Sequence, residues 1–299
     1  QGRGNTRTSD FVYLDENASV ESSGGNTGDG GRVILFAENS ARINGAITAR
    51  GGELSGDGGF IETSGLIGLR VNATPDAGAN NGTPGEWLID PNNISIENSQ
   101  TLGLDLMAPD GEFIAISGGA VVSSEIIVNA LEINDVTIDT GTTGTEAGDI
   151  NINVAIVSGS RRSPVRLTTS LTLNAANNIN INASVSLVGT NRTLQFNSAQ
   201  DGGTGSSIFS DTLVDRGGFS EPLLRATSIE FLGGGLTLPD FSVDFDIVAE
   251  SLSVVGGLDQ TGSFLDLDAT SVTIDEFTIT PGGAGEVGSA IILASGSNN

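Results

Sequence analysis

The sequence predicts an all-β chain coiled as a β-solenoid, and three observations carry that expectation. Glycine supplies 43 of the 299 residues with few prolines and no three-residue period, which points to many tight turns between short strands and away from collagen or helices. Short segments alternate aliphatics with Asn, Thr or Ser, the period of a strand buried on one side. These segments recur at a self-similar period of roughly 20 to 30 residues, each unit too small to bury its own apolar side, so that stacking must supply the core.

Taken in order, Phe11-Val12-Tyr13-Leu14 reads as the first strand, Ala18-Ser19-Val20 opens a second, and the Gly-rich run from Ser22 to Gly31 is a loop. Arg32 to Ala37 makes a strand, followed by Ala41 to Asn44, a break at Gly45 and Ala46 to Ala49, together one coil. The motif Gly-Asp-Gly-Gly then recurs at an offset of 28, at Gly28–Gly31 and Gly56–Gly59, and is followed by strands from Phe60 and Leu66. Residues 73–85 form a Pro- and Gly-rich loop, and the strand Trp87-Leu88-Ile89 is closed by Asp90-Pro91, because proline has no ladder donor. Ile94 and Ile96 resume the alternation before it weakens into Leu102, Leu104, Leu106 and Phe113 to Ile116.

Ser123 to Leu131 supports two readings. Serine can cap a helix whose Ile127, Ala130 and Leu131 share a face, while the β-branched Ile126-Ile127-Val128 run favours a strand. Beyond it the alternation is clean at Val136-Thr137-Ile138, Ile150 to Val154, Leu171-Thr172-Leu173, Ile179 to Asn182, Val185-Ser186-Leu187 and Leu194-Gln195-Phe196. Leu171 to Leu194 is a 23-residue cycle, repeated by Ile229, Leu236, Val243 and Leu252. Between these cycles, residues 200–225 break the spacing and read as an extruded loop or hairpin, and the last strand is Ala290 to Leu293. The expected organisation is therefore first coils over 1–97, an irregular segment over 98–134, and repeats over 135–299 with a loop insertion near 200–225.

Composition narrows function. The net charge is −25 and all twelve basic residues are Arg, a surface that repels phosphate backbones and anionic membranes. The nearest basic group, Arg161, Arg162 and Arg166, reads as a solvated turn and strand edge, so no nucleic-acid partner is expected. Cysteine is absent, which excludes disulfide staples and thiolate metal sites and suits a chain that crosses a membrane unfolded. No apolar run reaches the ~18 residues of a spanning helix, so no membrane insertion is expected. Gln1 does not open a signal peptide, and any export signal is expected upstream or already removed.

Four motifs in order, Gly30 to Asn39, Ile47 to Gly52, Gly58 to Gly65 and Gly85 to Ile96, resemble filamentous haemagglutinin-type exoproteins, in the region just after the secretion domain. Leu171 to Ala183 likewise resembles that family's downstream repeats. The resemblance implies a right-handed parallel β-helix, a short helix near 124–131, and two-partner secretion through an outer-membrane pore followed by display or release as an adhesin. The family's secretion domain and its Asn-Pro-Asn motif are absent, Asp90-Pro91-Asn92 being a different element. The chain is accordingly expected to be a fragment of a longer exoprotein, the alternative being that the family's body is reused in another setting.

Asp244, Asp246, Asp266 and Asp268 could align on neighbouring coils as in polysaccharide-active β-helices, but the chain has 37 acidic residues and no His or Lys for base or phosphate chemistry. Asp29 and Asp57 invite a calcium reading, yet no nine-residue Gly-Gly-x-Gly-x-Asp array is present, and tight-turn chemistry accounts for them. Asn17, Asn72, Asn81, Asn93, Asn182 and Asn191 each begin an N-x-S/T triplet, although Asn178, Asn180 and Asn182 could equally form ladders between coils. Trp87 reads as a core or cap residue rather than an exposed sugar platform. No catalytic, cofactor-binding or metal-ligating residue is assigned. The expected function is the non-catalytic shaft of a secreted, cell-surface adhesin or matrix fibre that contacts surface glycans or receptors. The alternatives are a filament subunit associating end to end and a polysaccharide-active enzyme.

Overall fold

The computed structural model describes residues 8–98, 119–141, 146–159, 167–200, 205–209, 224–238, 244–256, 258–261, 264–274, 277–280 and 290–294. They fall into two compact units, Gln1–Asp149 and Ile150–Asn299, each a parallel β-helix. The apolar positions of 99–118, the Arg161, Arg162 and Arg166 group, most of 200–225 and Val243 lie outside the described residues.

The first unit opens with β1 (Ser9–Leu14) and β2 (Ser19–Glu21), which stack on β3 (Arg32–Ile43) and β4 (Ala46–Thr48). Two strands were expected across residues 32–44; one twelve-residue strand is found, because neither Gly nor Pro interrupts positions 38–40 and the backbone turns the corner extended. Its first half pairs with β5 (Phe60–Gly65) and its second half with β6 (Gly68–Val71). Arg32 lies opposite Phe60, so the 28-residue offset of the two Gly-Asp-Gly-Gly motifs is the coil length there. Strands β7 (Glu86–Ile89) and β10 (Asp135–Asp139) continue the β3–β5 face.

The adjoining face departs from chain order. Strand β8 (Ile94–Glu97) does not pair with β6; β9 (Ala120–Ser123) sits between them, placing Val122 opposite Val71 on one side and Ile96 on the other. The helix α1 (Ser124–Ala130) follows, with Ser123 as N-cap accepting from the Glu125 amide. Ile127, Ala130 and Leu131 are all fully buried, so the capped amphipathic face prevails over the β preference of the Ile126 to Val128 run.

The core of this unit is a set of vertical columns. Val33, Ile61, Trp87 and Val136 succeed one another in register, and Thr63 takes an aliphatic's place beside Ile89 and Ile138. The Trp87 ring is fully buried and its Nε1 donates to Thr63 Oγ1 at 3.0 Å, which satisfies the one polar atom that burial would orphan.

The second unit runs through β11 (Ile150–Ile152), β12 (Ile156–Ser158), β13 (Leu171–Asn174), β14 (Ile179–Ile181), β15 (Val185–Leu187), β16 (Thr193–Ser198) and β17 (Ser207–Phe209). It continues with β18 (Leu224–Arg225), β19 (Ser228–Gly233), β20 (Leu236–Leu238), β21 (Asp244–Val254), β22 (Leu258–Thr261), β23 (Phe264–Ile274), β24 (Phe277–Thr280) and β25 (Ala290–Ala294). The 23-residue cycle is found where Leu171 meets Leu194 and where Ile229 meets Leu252. Elsewhere the coil varies, from 19 residues between Leu258 and Phe277 to 39 between Val185 and Leu224. Only the strands must keep register to fill the core, whereas turn length is nearly free. Within residues 200–225, expected to extrude as a loop or hairpin, β17 and β18 pair in register with β14 and β15. Phe196 and Phe231 stack at 4.9 Å in the column that also holds Leu173 and Val254.

Asparagine ladders line the outer surface, as the alternation allowed. Asn180 Nδ2 donates to Asn151 Oδ1 at 2.8 Å and Asn182 Nδ2 to Asn153 Oδ1 at 2.7 Å, while Asn178 Oδ1 accepts from the Ser206 amide.

Candidate functional site

The two Gly-Asp-Gly-Gly turns build a solvent-facing strip on the first unit. Phe60 N–H donates to Gly31 O, Glu86 N–H to Gly59 O and Asp135 N–H to Gly85 O, so the residue after each of these glycines is locked in register with the one before it. Arg32, Phe60, Glu86 and Asp135 thereby form one column, one residue per coil, at the strand spacing of about 4.8 Å. Beside it runs a floor of Gly30, Gly31, Gly58, Gly59 and Gly85, with Pro84 completing it. A Cβ on Gly59 would strike the carbonyl of Gly31, and one on Gly85 the carbonyl of Gly59, so close coil stacking requires these glycines.

The result is a shallow groove of about 560 Å³ open to solvent. The guanidinium carbon of Arg32 lies 4.4 Å from the Phe60 ring centroid, within the range of a cation–π contact. The Arg32 side chain is 63% exposed and reaches 4.0 Å from the buried Glu62 carboxylate. Glu86 Oε1 accepts a 2.6 Å hydrogen bond from Thr137 Oγ1, which fixes the direction of the carboxylate. The floor amides are already committed: Gly30, Gly31, Gly58, Gly59 and Gly85 all donate within the stack. Recognition in the groove therefore depends on the guanidinium, the aromatic ring and two carboxylates.

The Asp residues of the same turns act as braces. Asp29 Oδ1 accepts from the Asp57 amide at 2.9 Å, and Asp57 Oδ1 accepts from the Thr83 amide at 2.7 Å. The Thr83 hydrogen bonds hold the fully exposed Asp57 carboxyl below the usual carboxylate range. Both residues thus serve the turns as expected, and no group of three or more potential metal ligands gathers among the described residues.

The other candidates fall elsewhere. Register brings Asp246 opposite Asp266, with Asp244 opposite Phe264 and Asp268 opposite Val248, so one Asp pair is directly opposed across two neighbouring coils and the other two Asp each lie two residues along from it. Of the N-x-S/T asparagines, Asn72 donates to Asn44, Asn81 to the Glu53 carbonyl, and Asn93 accepts from the Gly148 and Asp149 amides. Asn17 donates to Asp15, Asn182 belongs to a ladder, and Asn191 sits at φ 56° in an exposed turn. Trp87 is core, which removes it as a sugar platform.

Arg32, Phe60 and Glu86 lie inside the sequence motifs, but their sharing one column is set by the register between coils. The signal was present in Gly-Gly-Arg, Gly-Gly-Phe and Gly-Glu, each a large residue after a stacked glycine. Asp135 carried no such signal, since Asn134 precedes it and the coil from Glu86 is 49 residues long. No family profile matches the chain, and no curated protein matches it.

Proposed function

We propose that the chain is the non-catalytic shaft portion of a secreted, cell-surface adhesin or matrix fibre, exported through an outer-membrane secretion pore. The observation that supports this best is the repeating coil: each coil adds one row of outward side chains over an aliphatic core, a construction that generates recognition surface. The absence of Cys, His and Lys and the order of the exoprotein-like motifs point the same way. Fractionation of the producing cells with an antibody to the chain tests export: the chain is expected in the medium or protease-accessible on intact cells, and confinement to the cytoplasm would overturn the reading. Beads coated with the chain are expected to adhere to cells or extracellular matrix above albumin-coated beads, and adhesion no better than albumin would remove the adhesin role. Release of reducing ends from polysaccharide, abolished by Asp246→Asn with Asp266→Asn, would instead establish the enzymatic alternative.

One observation favours self-association as a second reading. Val12, Leu14 and Val20 are half-buried although Ala41, Ile43 and Ile47, their register partners, are buried. Among the described residues, β1 and β2 are paired along one edge only, and such an edge can accept a further parallel strand. Negative-stain images of the concentrated chain would show end-to-end filaments on this reading, and isolated particles at every concentration would dismiss it.

A further inference from the structure

We infer that the groove along Arg32, Phe60, Glu86 and Asp135 binds a neutral, linear glycan, an assignment that rests on the adhesin reading and gives it a site and a ligand class.

Four features select this ligand. First, the column is linear and periodic, with one functional side chain per coil in register, so it matches a repeating chain better than a compact metabolite. Second, the floor is glycine except for Pro84, so a single small ring stands above the backbone, and the glycine amides are spent on the stack. An extended peptide would find no ladder donors there, which disfavours strand addition. Third, the polar groups are planar and carry both hydrogen-bond polarities: Arg32 donates only, and the Glu86 and Asp135 carboxylates accept. Sugar hydroxyls both donate and accept, while the half-buried Phe60 ring, with the Arg32 guanidinium 4.4 Å over one face, leaves its remaining apolar surface to the C–H groups of a pyranose. Fourth, the charges exclude the anionic alternative. Arg32 already sits over Phe60 and beside Glu62, and Glu86 and Asp135 leave the column net negative within a chain of charge −25. Uronate or sulfate groups would be repelled.

The intact chain should be titrated by calorimetry with cellohexaose, maltohexaose and mannohexaose as neutral probes, and with a hexauronate and an oligolysine peptide as charged ones. At least one neutral hexasaccharide is expected to bind, and its affinity should fall about fivefold to tenfold on Phe60→Leu, equivalent to about 1.0–1.4 kcal/mol. Glu86→Gln, which keeps shape and removes charge, should weaken the same probe by about tenfold, and Val157→Ser, at an exposed position in the second unit, should not change it. Unaltered circular dichroism for each variant separates lost binding from lost fold. Binding of the hexauronate or the peptide alone, no binding of any neutral probe, or neutral binding indifferent to Phe60→Leu and Glu86→Gln would each overturn the assignment. The adhesin reading is judged separately on coated beads: if Phe60→Leu beads adhere as well as wild type, the groove assignment fails while the adhesin role stands. If no beads adhere yet the hexasaccharide binds at the groove, the converse holds.

Discussion

Arg192 shows how a single residue can fasten a coil. It is fully buried, and its Nε donates to the Thr169 carbonyl at 2.7 Å while the terminal nitrogens reach Ser158 O and Oγ, Val188 O and Thr169 Oγ1. A lysine offers a point charge in place of this fork and cannot span Ser158 and Thr169 together. Arg192→Ala is therefore expected to destabilise the chain by roughly 3 kcal/mol, because it strands several buried acceptors. Arg192→Lys should recover little of that, and urea denaturation midpoints measure both. Asp57 gives a residue-scale prediction in pH. Its folded carboxyl lies below its ordinary value through the Thr83 hydrogen bonds, so its contribution is present above the unfolded value and is lost as pH falls through the folded one. Thermal midpoints should drop on acidification through that window, with a shallower slope in Asp57→Asn; identical slopes would assign no role to the Asp57 brace. Asp29 and Asp57 could be read as turn residues from sequence alone. Arg192 could not, since Asn191-Arg192-Thr193 reads as an ordinary surface triplet and its burial depends on coils around it.

At the level of elements, β9 is the departure from simple coil-on-coil order. It joins β6 and β8 through Val121 and Val122, and Val122 is fully buried. Val122→Asp should cost about 3 kcal/mol or more by placing a carboxylate in an apolar column. Hydrogen exchange should then rise in both Gly68–Val71 and Ile94–Glu97, segments separated in sequence yet joined through β9. Protection lost in β9 alone would show that β6 and β8 hold without it. The strands themselves were legible: alternation identified Ile150–Ile152, Leu171–Asn174 and Ile179–Ile181 without ambiguity. The insertion of β9 was not, because the alternating Ile94-Ser95-Ile96 and the wholly apolar Ala120-Val121-Val122 both suit a strand and nothing local says which of them β6 selects. The continuous β3 escaped notice for a related reason, since Glu38-Asn39 looks like a break by polarity but remains extended.

For the molecule as a whole, charge is the dominant long-range term. A chain of net charge −25 repels itself when compact, and the Debye length falls from about 30 Å at 0.01 M to about 8 Å at 0.15 M salt. Raising sodium chloride across that range is expected to raise the thermal midpoint. A falling midpoint would mean that local pairs such as Arg50 with Asp76, 2.6 Å apart, outweigh the global repulsion. The sequence by itself determined the coiled all-β fold and the turn chemistry of the Gly-Asp-Gly-Gly motifs, because each rests on local periodicity or backbone conformation, whereas Ser123 to Leu131 suits helix and strand alike and its packing decided for the helix. Only the tertiary structure decided the coil lengths, the order β6–β9–β8 and the column of Arg32, Phe60, Glu86 and Asp135. Those depend on which distant strands share a ladder, and backbone hydrogen bonds between strands carry no residue identity from which a sequence could declare its partner.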